Sequence, residues 1–395
     1  MVVYLDHAAT TPMLPEAVAA YAGALGIVGN PSSIHSHGQN AKRMLEEARE
    51  TVAASLGCDP IEVVFTSGGT EAVNLAIKGL YWARNSGGRN RRRILVPRGE
   101  HHATLDTVEW LERHEGAVVE WLPIDAVGRI RIDVLADALA ANDDVALVTL
   151  LWANNEVGTV QPVAEVALLA AEHGVPVHAD AVSAYGHLPL DFGASGLAAL
   201  SVSAHKIGGP LGIGALALSR TAAVEALIHG GGQQRQVRSG TQDAPAAVSF
   251  AAAAIAVPAG RDAEAARLRR LRDRLIAGVR AAVPQSVLRG DPVDRLPNNA
   301  HFTFPGCEGD SLLFLLDAAG ISVSTGSACQ AGIPEASHVL LGMGLSAADA
   351  RGALRFTLGH TSTDADVDAL LAALPGAYAR AASAGYADRE VTLGR

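Results

Sequence analysis

The chain has 395 residues, of which 49% are apolar and 18% are charged, and its formal net charge is −10. This length suits two domains, or one large domain with a satellite, and the negative charge argues against nucleic acid or an anionic membrane as the main partner. Three widely spaced cysteines do not make a disulfide framework, and neither a secretion signal nor a membrane-spanning apolar run is evident. We therefore expect a cytoplasmic protein.

Apolar, strand-like runs alternate with amphipathic stretches from about residue 60 to 220. Helices are predicted between most of these runs, for example over 71–83 and 163–173. Continuous apolar strands separated by helices are typical of a mainly parallel sheet with helices on both faces. The fold class is therefore predicted as α/β, with a seven-stranded sheet. The predicted strands are EVVFT, RILVP, AVVEWL, VALVTLLW, VPVHAD, LAALSVS and GIGALALS.

The pattern changes after about residue 245. A buried helix, AAVSFAAAAIAVPAG, precedes a long amphipathic helix, and an exposed turn, RGDPVDRLPNN, follows. The remaining sequence indicates a smaller α+β domain with strands AHFTF, ISVST and ALRFTLG. We assign the large domain to residues 14–257 and the small domain to residues 1–13 and 258–395.

Two strand ends carry polar groups with possible binding roles. Ser67 to Thr70, with Gly69 between them, form a Gly-rich turn at a predicted helix start, where free backbone N–H groups bind anions such as phosphate. Many such turns serve packing alone, so this motif leaves both readings open. Asp180 ends the strand VPVHAD, and it either caps a helix or pairs with a protonated ring nitrogen.

Lysine is rare in this sequence: three of the 31 basic residues are lysines. Arginine cannot be deprotonated in a protein, so it cannot replace an amine nucleophile. Lys42 and Lys78 lie in helix-like stretches, whereas Lys206 lies in the glycine-rich segment SVSAHKIGGP. Lys206 is either a surface loop lysine or a Schiff-base lysine, with Ser203 and His205 as neighbouring phosphate donors. Together, the anion turn, the strand-end aspartate and this lysine suggest pyridoxal phosphate.

Three further residues are candidates for the same site. His102 follows the strand RILVP and could cap a helix, or stack on a planar cofactor ring and move protons. Asn155 ends another strand and could donate to a carboxylate or a ring oxygen. Arg355, in the second domain, is either a surface ion-pair partner or a fork for a substrate carboxylate.

Cys329 lies in STGSACQAG, among small and polar residues rather than the bulky apolar neighbours of a structural thiol. The sequence indicates a loop that could travel between a pocket and a partner. Cys58 and Cys307 lie in no functional motif, and we interpret them as bystanders.

Ten segments of the chain, in order, resemble those of the cysteine desulfurases of the NifS/IscS type, which are pyridoxal-phosphate enzymes of fold type I in the class V aminotransferase group. The resemblance extends from residue 4 to about 370. The segments are YLDHAATTP, GNPSSIH, FTSGGTEAVNLAIKG, EHHA, NNEVGTVQP, HADA, SAHKIGGPLGIGAL, RSGTQD, STGSAC and LRFTLG.

The resemblance implies a role for each matching position. Lys206 would bind the cofactor covalently and act as the base at the substrate Cα, and Asp180 would pair with the pyridine nitrogen. His102 would stack on the ring. The resemblance assigns the phosphate to Gly69, Thr70, Ser203 and His205, and to Thr241 acting on the other subunit's cofactor. Asn155 and Arg355 would hold the substrate carboxylate, and Cys329 would form the persulfide.

The implied activity is conversion of L-cysteine to L-alanine by a homodimer with shared active sites. The sulfur would pass to an acceptor protein such as an iron–sulfur scaffold, or serve tRNA thiolation. A selenocysteine lyase, another class V aminotransferase-like enzyme and an inactive docking scaffold are the alternatives. The chain departs from the family pattern at Ser183, where a glutamine usually contacts the cofactor's phenolic oxygen, so Ser183 is a doubtful cofactor contact.

Overall fold

The computed structural model describes residues 2–326 and 336–384. Within these ranges the chain forms twelve strands and twelve α-helices. The strands are β1 (Val3–Tyr4), β2 (Val63–Thr66), β3 (Arg93–Pro97), β4 (Val118–Leu122), β5 (Val145–Leu151), β6 (Val177–Asp180), β7 (Ala199–Ser203), β8 (Gly214–Leu218), β9 (Val287–Arg289), β10 (Asn299–Thr303), β11 (Ile321–Ser322) and β12 (Ala353–Thr357). The helices are α1 (Pro15–Leu25), α2 (Ser36–Leu56), α3 (Gly69–Asn85), α4 (His102–Glu115), α5 (Ile132–Ala141), α6 (Val163–Glu172), α7 (Phe192–Ser195), α8 (Ala244–Ala282), α9 (Gly309–Asp317), α10 (His338–Gly342), α11 (Ala347–Arg351) and α12 (Asp364–Ser383).

The seven strands predicted between residues 60 and 220 form one sheet, in the order β2-β8-β7-β6-β5-β3-β4. Within this sheet β8 runs antiparallel to both of its neighbours, and the other pairs are parallel. Every residue of the central strand β5 is buried, which explains its continuous apolar sequence. The predicted α/β fold class is confirmed.

The second half of the chain builds two small sheets. β10 pairs antiparallel with β9 and β12, and β1 pairs in parallel with β11. The predicted strands AHFTF, ISVST and ALRFTLG correspond to β10, β11 and β12. The short strands β1 and β9 were not predicted, because two or three residues carry no readable alternation.

Separate buried apolar clusters lie in the two parts of the molecule. One cluster joins Val3 and Leu5 to residues from Leu268 onward, including Phe302 and Phe356. The larger sheet is packed by other clusters, which draw on residues between 17 and 254 and on Leu296. The division into residues 14–257 and residues 1–13 with 258–395 stays a prediction.

Helix α8 contains both helices predicted after residue 245. Its two parts, Ala244–Val257 and Ala259–Ala282, meet at a bend of 66°. Among the described residues, no single helix is long and apolar enough to cross a membrane, although these two parts meet the length and composition requirement together. The predicted apolar face of the second part is buried, at Leu268, Leu271, Leu275 and Val279.

The turn RGDPVDRLPNN was predicted to be exposed, and its second half is not. Arg295, Leu296 and Asn298 are buried. The Arg295 guanidinium donates to the backbone oxygens of Val157 at 3.0 Å and Asn299 at 3.2 Å. The prediction was wrong because the backbone carbonyls of neighbouring segments provide acceptors for a buried arginine, which a sequence pattern does not reveal.

Candidate active site

Loops that follow the strands of the large sheet surround a cavity of about 390 Å³. Its position beyond the carboxyl ends of parallel strands is the usual one for a site in this architecture. Nine of the predicted site residues line the cavity: Gly69, Thr70, Asn155, Asp180, Ser183, Ser203, His205, Lys206 and Arg355.

The anion turn lies at the start of α3. The N-terminus of this helix, at Gly69 and Thr70, faces the cavity with its free N–H groups and positive dipole end. A Cβ atom at Gly69 would lie 2.7 Å from Val182 Cγ2 and 3.5 Å from Ser203 Cβ. Glycine therefore keeps this part of the cavity open. The Ser67 N–H donates to Glu71 Oε2 at 2.7 Å and fixes the turn.

Asp180 is a buried carboxyl at the end of β6. Its Oδ1 accepts a hydrogen bond from the Val182 N–H at 2.9 Å. Burial raises the pKa of Asp180 to about 6, and the Val182 hydrogen bond and the nearby Lys206 charge oppose that rise. A carboxylate in this setting gains from a positively charged partner in the cavity.

Lys206 faces the cavity from the turn after β7. Its Nζ donates to the backbone oxygens of Ala8 and of Ala9, the latter at 2.9 Å. Burial and the charge of Arg355 lower the pKa of Lys206 to about 8. More of the amine is therefore neutral near physiological pH than for an exposed lysine, and the neutral form is the one that attacks a carbonyl.

Of two adjacent histidines, His101 rather than His102 lines the cavity. His101 caps α4 by accepting the Ala103 N–H on Nδ1 at 3.0 Å, and burial and the Lys206 charge lower its pKa to about 4. His102 begins α4, with its Nδ1 3.6 Å from Asp106 Oδ1 and its ring 5.2 Å from that of His338. His102 was predicted at the site, but it does not line this cavity, because a helix start turns consecutive side chains in different directions.

Arg355 reaches the cavity from β12 with its guanidinium nearly buried. It donates to Asp6 Oδ1 at 2.8 Å and to the backbone oxygen of Asn155 at 3.0 Å, and its buried Nε has no hydrogen-bond partner among the described residues. Backbone hydrogen bonds join Arg355 to Ser324 in both directions. Ser324 and Gly326 also line the cavity, so the chain that precedes Cys329 starts at the cavity wall.

Three predicted residues remain besides these nine: His102, described above, Thr241 and Cys329. Thr241 is exposed on the loop before α8 and does not line the cavity of its own subunit. Cys329 lies outside the described residues.

The other two cysteines, which we interpreted as bystanders, have raised thiol pKa values. Burial raises the pKa of Cys58 to about 12 and that of Cys307 to about 11.

Comparison with known proteins assigns the family. The aminotransferase class-V profile matches residues 3–370. The chain belongs to the class-V aminotransferase family. An IscS-like cysteine desulfurase of Mycobacterium tuberculosis is 57% identical, over 97% of this chain and 98% of the relative.

Solved structures of the same fold agree with that assignment. A NifS-like protein superposes with a TM-score of 0.89 at 32% identity, covering 96% of this chain and all of its own. The structure of SspA in complex with cysteine has a TM-score of 0.78 at 32% identity, covering 90% of this chain and 98% of its own.

Class-V aminotransferases are pyridoxal-phosphate enzymes, and the residues that line the cavity of this chain fit pyridoxal phosphate. Gly69 leaves room at the helix N-terminus for a phosphate, Asp180 is a buried carboxyl whose pKa is raised to about 6 by burial, and Lys206 has a lowered pKa. These three features lie around one cavity and match the three polar ends of the cofactor.

Sequence reasoning missed part of this class-V site. The N-terminal segment provides Asp6, Ala8 and Ala9, which contact Arg355 and Lys206 across more than 190 residues of chain. The motif YLDHAATTP is one of the ten segments that carry the family resemblance, but its residues have no predicted role. Backbone carbonyls have no signature in sequence, so only the family motif could have pointed to this segment.

Proposed function

We propose that this protein is a pyridoxal-phosphate-dependent cysteine desulfurase, which converts L-cysteine to L-alanine and takes up the sulfur as a persulfide on Cys329. The observation that carries the proposal is one cavity lined by Lys206, Asp180, the anion turn and Arg355, with the chain that leads to Cys329 starting at its wall. The relative from M. tuberculosis that bears the desulfurase name supports it.

The sheet side of the cavity would hold the cofactor. The α3 N-terminus, with Thr70, Ser203 and His205, would bind the phosphate, and Asp180 would keep the ring nitrogen protonated. Ser183 would lie near the ring, and we transfer the stacking role from His102 to His101, because His101 lines the cavity. When bound, the cofactor supplies an electron sink that makes the substrate sulfur transferable.

The opposite side would orient the amino acid. Arg355 would hold the substrate carboxylate through its fork, helped by Asn155. Its Nε, which has no partner in the part of the chain that the structure describes, is a further donor for the carboxylate. Lys206, as a neutral amine, would accept the proton from the substrate Cα, and the carbonyls of Ala8 and Ala9 would hold the resulting ammonium.

Cys329 would attack the substrate sulfur as a thiolate, forming an S–S bond while the Cβ–S bond breaks. The electron pair of that bond would stay with the substrate carbon, and proton uptake at Cβ and at Cα would complete L-alanine. The persulfide would then meet a sulfur acceptor such as an iron–sulfur scaffold protein, with tRNA thiolation as a second use. Thr241, exposed and away from its own cavity, would contact the phosphate in the second subunit of a homodimer. Two unpaired cysteines, Cys58 and Cys307, support a reducing, cytoplasmic location.

The deciding experiment mixes the protein with L-cysteine and measures alanine and sulfide, with and without a thiol reductant. The wild-type protein should form both, and sulfide release should depend on the reductant. Cys329→Ala should lose sulfide release, with Cys58→Ala as the matched control. Intact sulfide release from Cys329→Ala would remove the persulfide assignment, and a preference for L-selenocysteine would favour the selenocysteine-lyase alternative.

A further inference from the structure

The loop before Thr241 has a strained backbone. Gln234, Arg235 and Gln236 have φ angles of 47°, 59° and 63°, and they are the non-glycine residues with positive φ in the described part of the chain. Side chains disfavour this left-handed conformation, and three such residues in a row persist only where other contacts hold them. The contacts that hold this loop therefore indicate why the strained conformation is kept.

The first contact is the side chain of Gln234 on the edge strand β2. Its Oε1 accepts the Phe65 N–H at 2.7 Å, and its Nε2 donates to the Phe65 oxygen at 2.7 Å. Arg49, which is buried, donates to Gln234 Oε1 at 3.1 Å and to the Val63 oxygen at 2.6 Å. One amide thus pairs with both backbone groups of Phe65, as a neighbouring strand would.

The second contact is an ion pair with the anion turn. Arg238 donates from Nε to Glu71 Oε1 at 2.8 Å and from Nη2 to Glu71 Oε2 at 3.2 Å. Glu71 also accepts the Ser67 N–H and so holds this subunit's own anion turn. The Arg238–Glu71 pair therefore fastens the loop to the start of α3.

The loop is also closed on itself up to Thr241. The Gly232 N–H donates to Ser239 Oγ at 3.2 Å, and the Gly240 N–H donates to Gln233 Oε1 at 2.9 Å. Thr241 follows directly and is exposed. A short series of polar contacts thus runs from β2 and the anion turn to the backbone on which Thr241 is presented.

We infer that Gln234 and Arg238 are positioning residues for the cofactor site of the second subunit. They hold the segment 232–240 (the left-handed loop) against their own sheet, and the strained turn directs Thr241 outward. This inference rests on the proposed role of Thr241 in the partner's site. Covering the open edge of β2 would explain the Phe65 contact alone, but not the ion pair to Glu71 or the closure that leads to Thr241.

The test uses heterodimers of two differently tagged chains, one of which carries Lys206→Ala. The cofactor-free heterodimer is titrated with pyridoxal phosphate, and borohydride then traps only the cofactor that is linked to Lys206. The readout is therefore the cofactor affinity of one intact site. Gln234→Ala is placed either on the Lys206→Ala chain, which serves the intact site from across the interface, or on the chain that holds the intact site.

We expect Gln234→Ala on the Lys206→Ala chain to weaken cofactor binding about tenfold, the scale of one lost hydrogen-bonded anchor. On the chain with the intact site it should leave the affinity unchanged. Gln236→Ala, in the same strained turn and exposed, is the matched control. Should Gln234→Ala not form dimers, Arg238→Gln on the Lys206→Ala chain carries the test, with the same expected loss.

An unchanged affinity in both arrangements, or a loss only on the chain with the intact site, would overturn the inference. Thr241→Ala in the same pair of heterodimers separates the positioning role of Gln234 and Arg238 from the proposed role of Thr241 in the partner's site. If Thr241→Ala weakens binding across the interface and neither Gln234→Ala nor Arg238→Gln does, the positioning role fails alone. If Thr241→Ala has no effect across the interface, the shared-site part of the proposed function fails as well.

Discussion

One part of the cavity wall comes from the carboxyl edge of the seven-stranded sheet, and another part comes from the N-terminal segment, β12 and the chain after β11. We call these the sheet wall (Gly69, Thr70, Asp180, Ser203 and Lys206) and the N-terminal wall (Ala8, Ala9, Ser324 and Arg355, together with Asp6, which pairs with Arg355). The sheet wall is assembled by one rule, since each of its residues lies at the carboxyl end of a strand or shortly after it. The N-terminal wall is assembled by contacts such as Asp6 to Arg355, which are 349 residues apart.

The two walls also differ in the function that each would serve: one suits cofactor binding and the other suits substrate binding. Residues of the sheet wall present an anion turn, a buried carboxyl and an amine, which suit a cofactor that remains in place. The N-terminal wall presents an arginine fork, which suits a substrate that enters and leaves, while its Ala8 and Ala9 carbonyls accept hydrogen bonds from Lys206. Changes to the sheet wall should therefore act on cofactor binding and kcat, and changes to the N-terminal wall on KM.

The largest effect is expected for Asp180→Asn in the sheet wall. Without a carboxylate the ring nitrogen is no longer held protonated, and alanine formation should fall by at least about 100-fold. The measurement is kcat at saturating cofactor and L-cysteine. A variant that raised KM and left kcat intact would contradict the division between the two walls.

The same substitution should stabilise the cofactor-free protein. Burial raises the folded-state pKa of Asp180 from 3.8 to about 6, so the folded protein binds this proton more tightly than the unfolded chain does. Wild-type stability is thus lost as pH rises from 3.8 to about 6, and the loss persists above that range. Urea unfolding should show Asp180→Asn gaining up to about 3 kcal/mol above pH 6, and little below pH 3.8. A gain that was equal at both pH values would assign it to packing instead.

The second effect separates two neighbouring histidines. His101→Gln should lower kcat by about 100-fold, because His101 lines the cavity and His102 does not. His102→Gln should leave kcat nearly unchanged, since its imidazole lies beside Asp106 and His338. Alanine formation by the two variants, compared under the same conditions, checks the assignment. The reverse order of the two losses would restore His102 as the ring contact.

The third effect concerns the N-terminal wall. Arg355→Lys should raise the KM for L-cysteine about tenfold, because lysine cannot form the two-pronged contact with a carboxylate. Arg289→Lys, on the edge strand β9 of the same small sheet, is the control for general damage to that sheet. A fall in kcat with KM unchanged would mean that the N-terminal wall serves the chemical step rather than substrate binding.

The smallest effect is expected for the shielded thiols. Cys58→Ala with Cys307→Ala should leave sulfide formation unchanged, because burial keeps both thiols protonated. Iodoacetamide should label Cys329 well before either of them, which mass spectrometry of the intact chain can follow. Faster labelling of Cys58 than of Cys329 would argue against a reactive Cys329.

Sequence reasoning located the sheet wall and much less of the N-terminal wall. Asp180 and Lys206 were found because strand ends are readable from apolar runs, and because this chain almost lacks lysine. The sequence pointed to His102, whereas His101 lines the cavity, since periodicity at a helix start does not resolve adjacent positions. The carbonyls of Ala8 and Ala9, like the buried Arg295, depend on which distant segments pack together, and no local pattern encodes that.

The pairing of the N-terminal segment has a consequence for synthesis on the ribosome. Val3 and Asp6 lie opposite Ile321 and Thr357, so they have no strand partner until those residues have been made. At about 10 residues per second, the first residues would wait roughly half a minute for their neighbours. The large sheet can form in that interval, but the carbonyls that receive Lys206 are fixed only near the end of translation. A nascent chain interrupted before Thr357 would therefore hold a sheet without a complete active site.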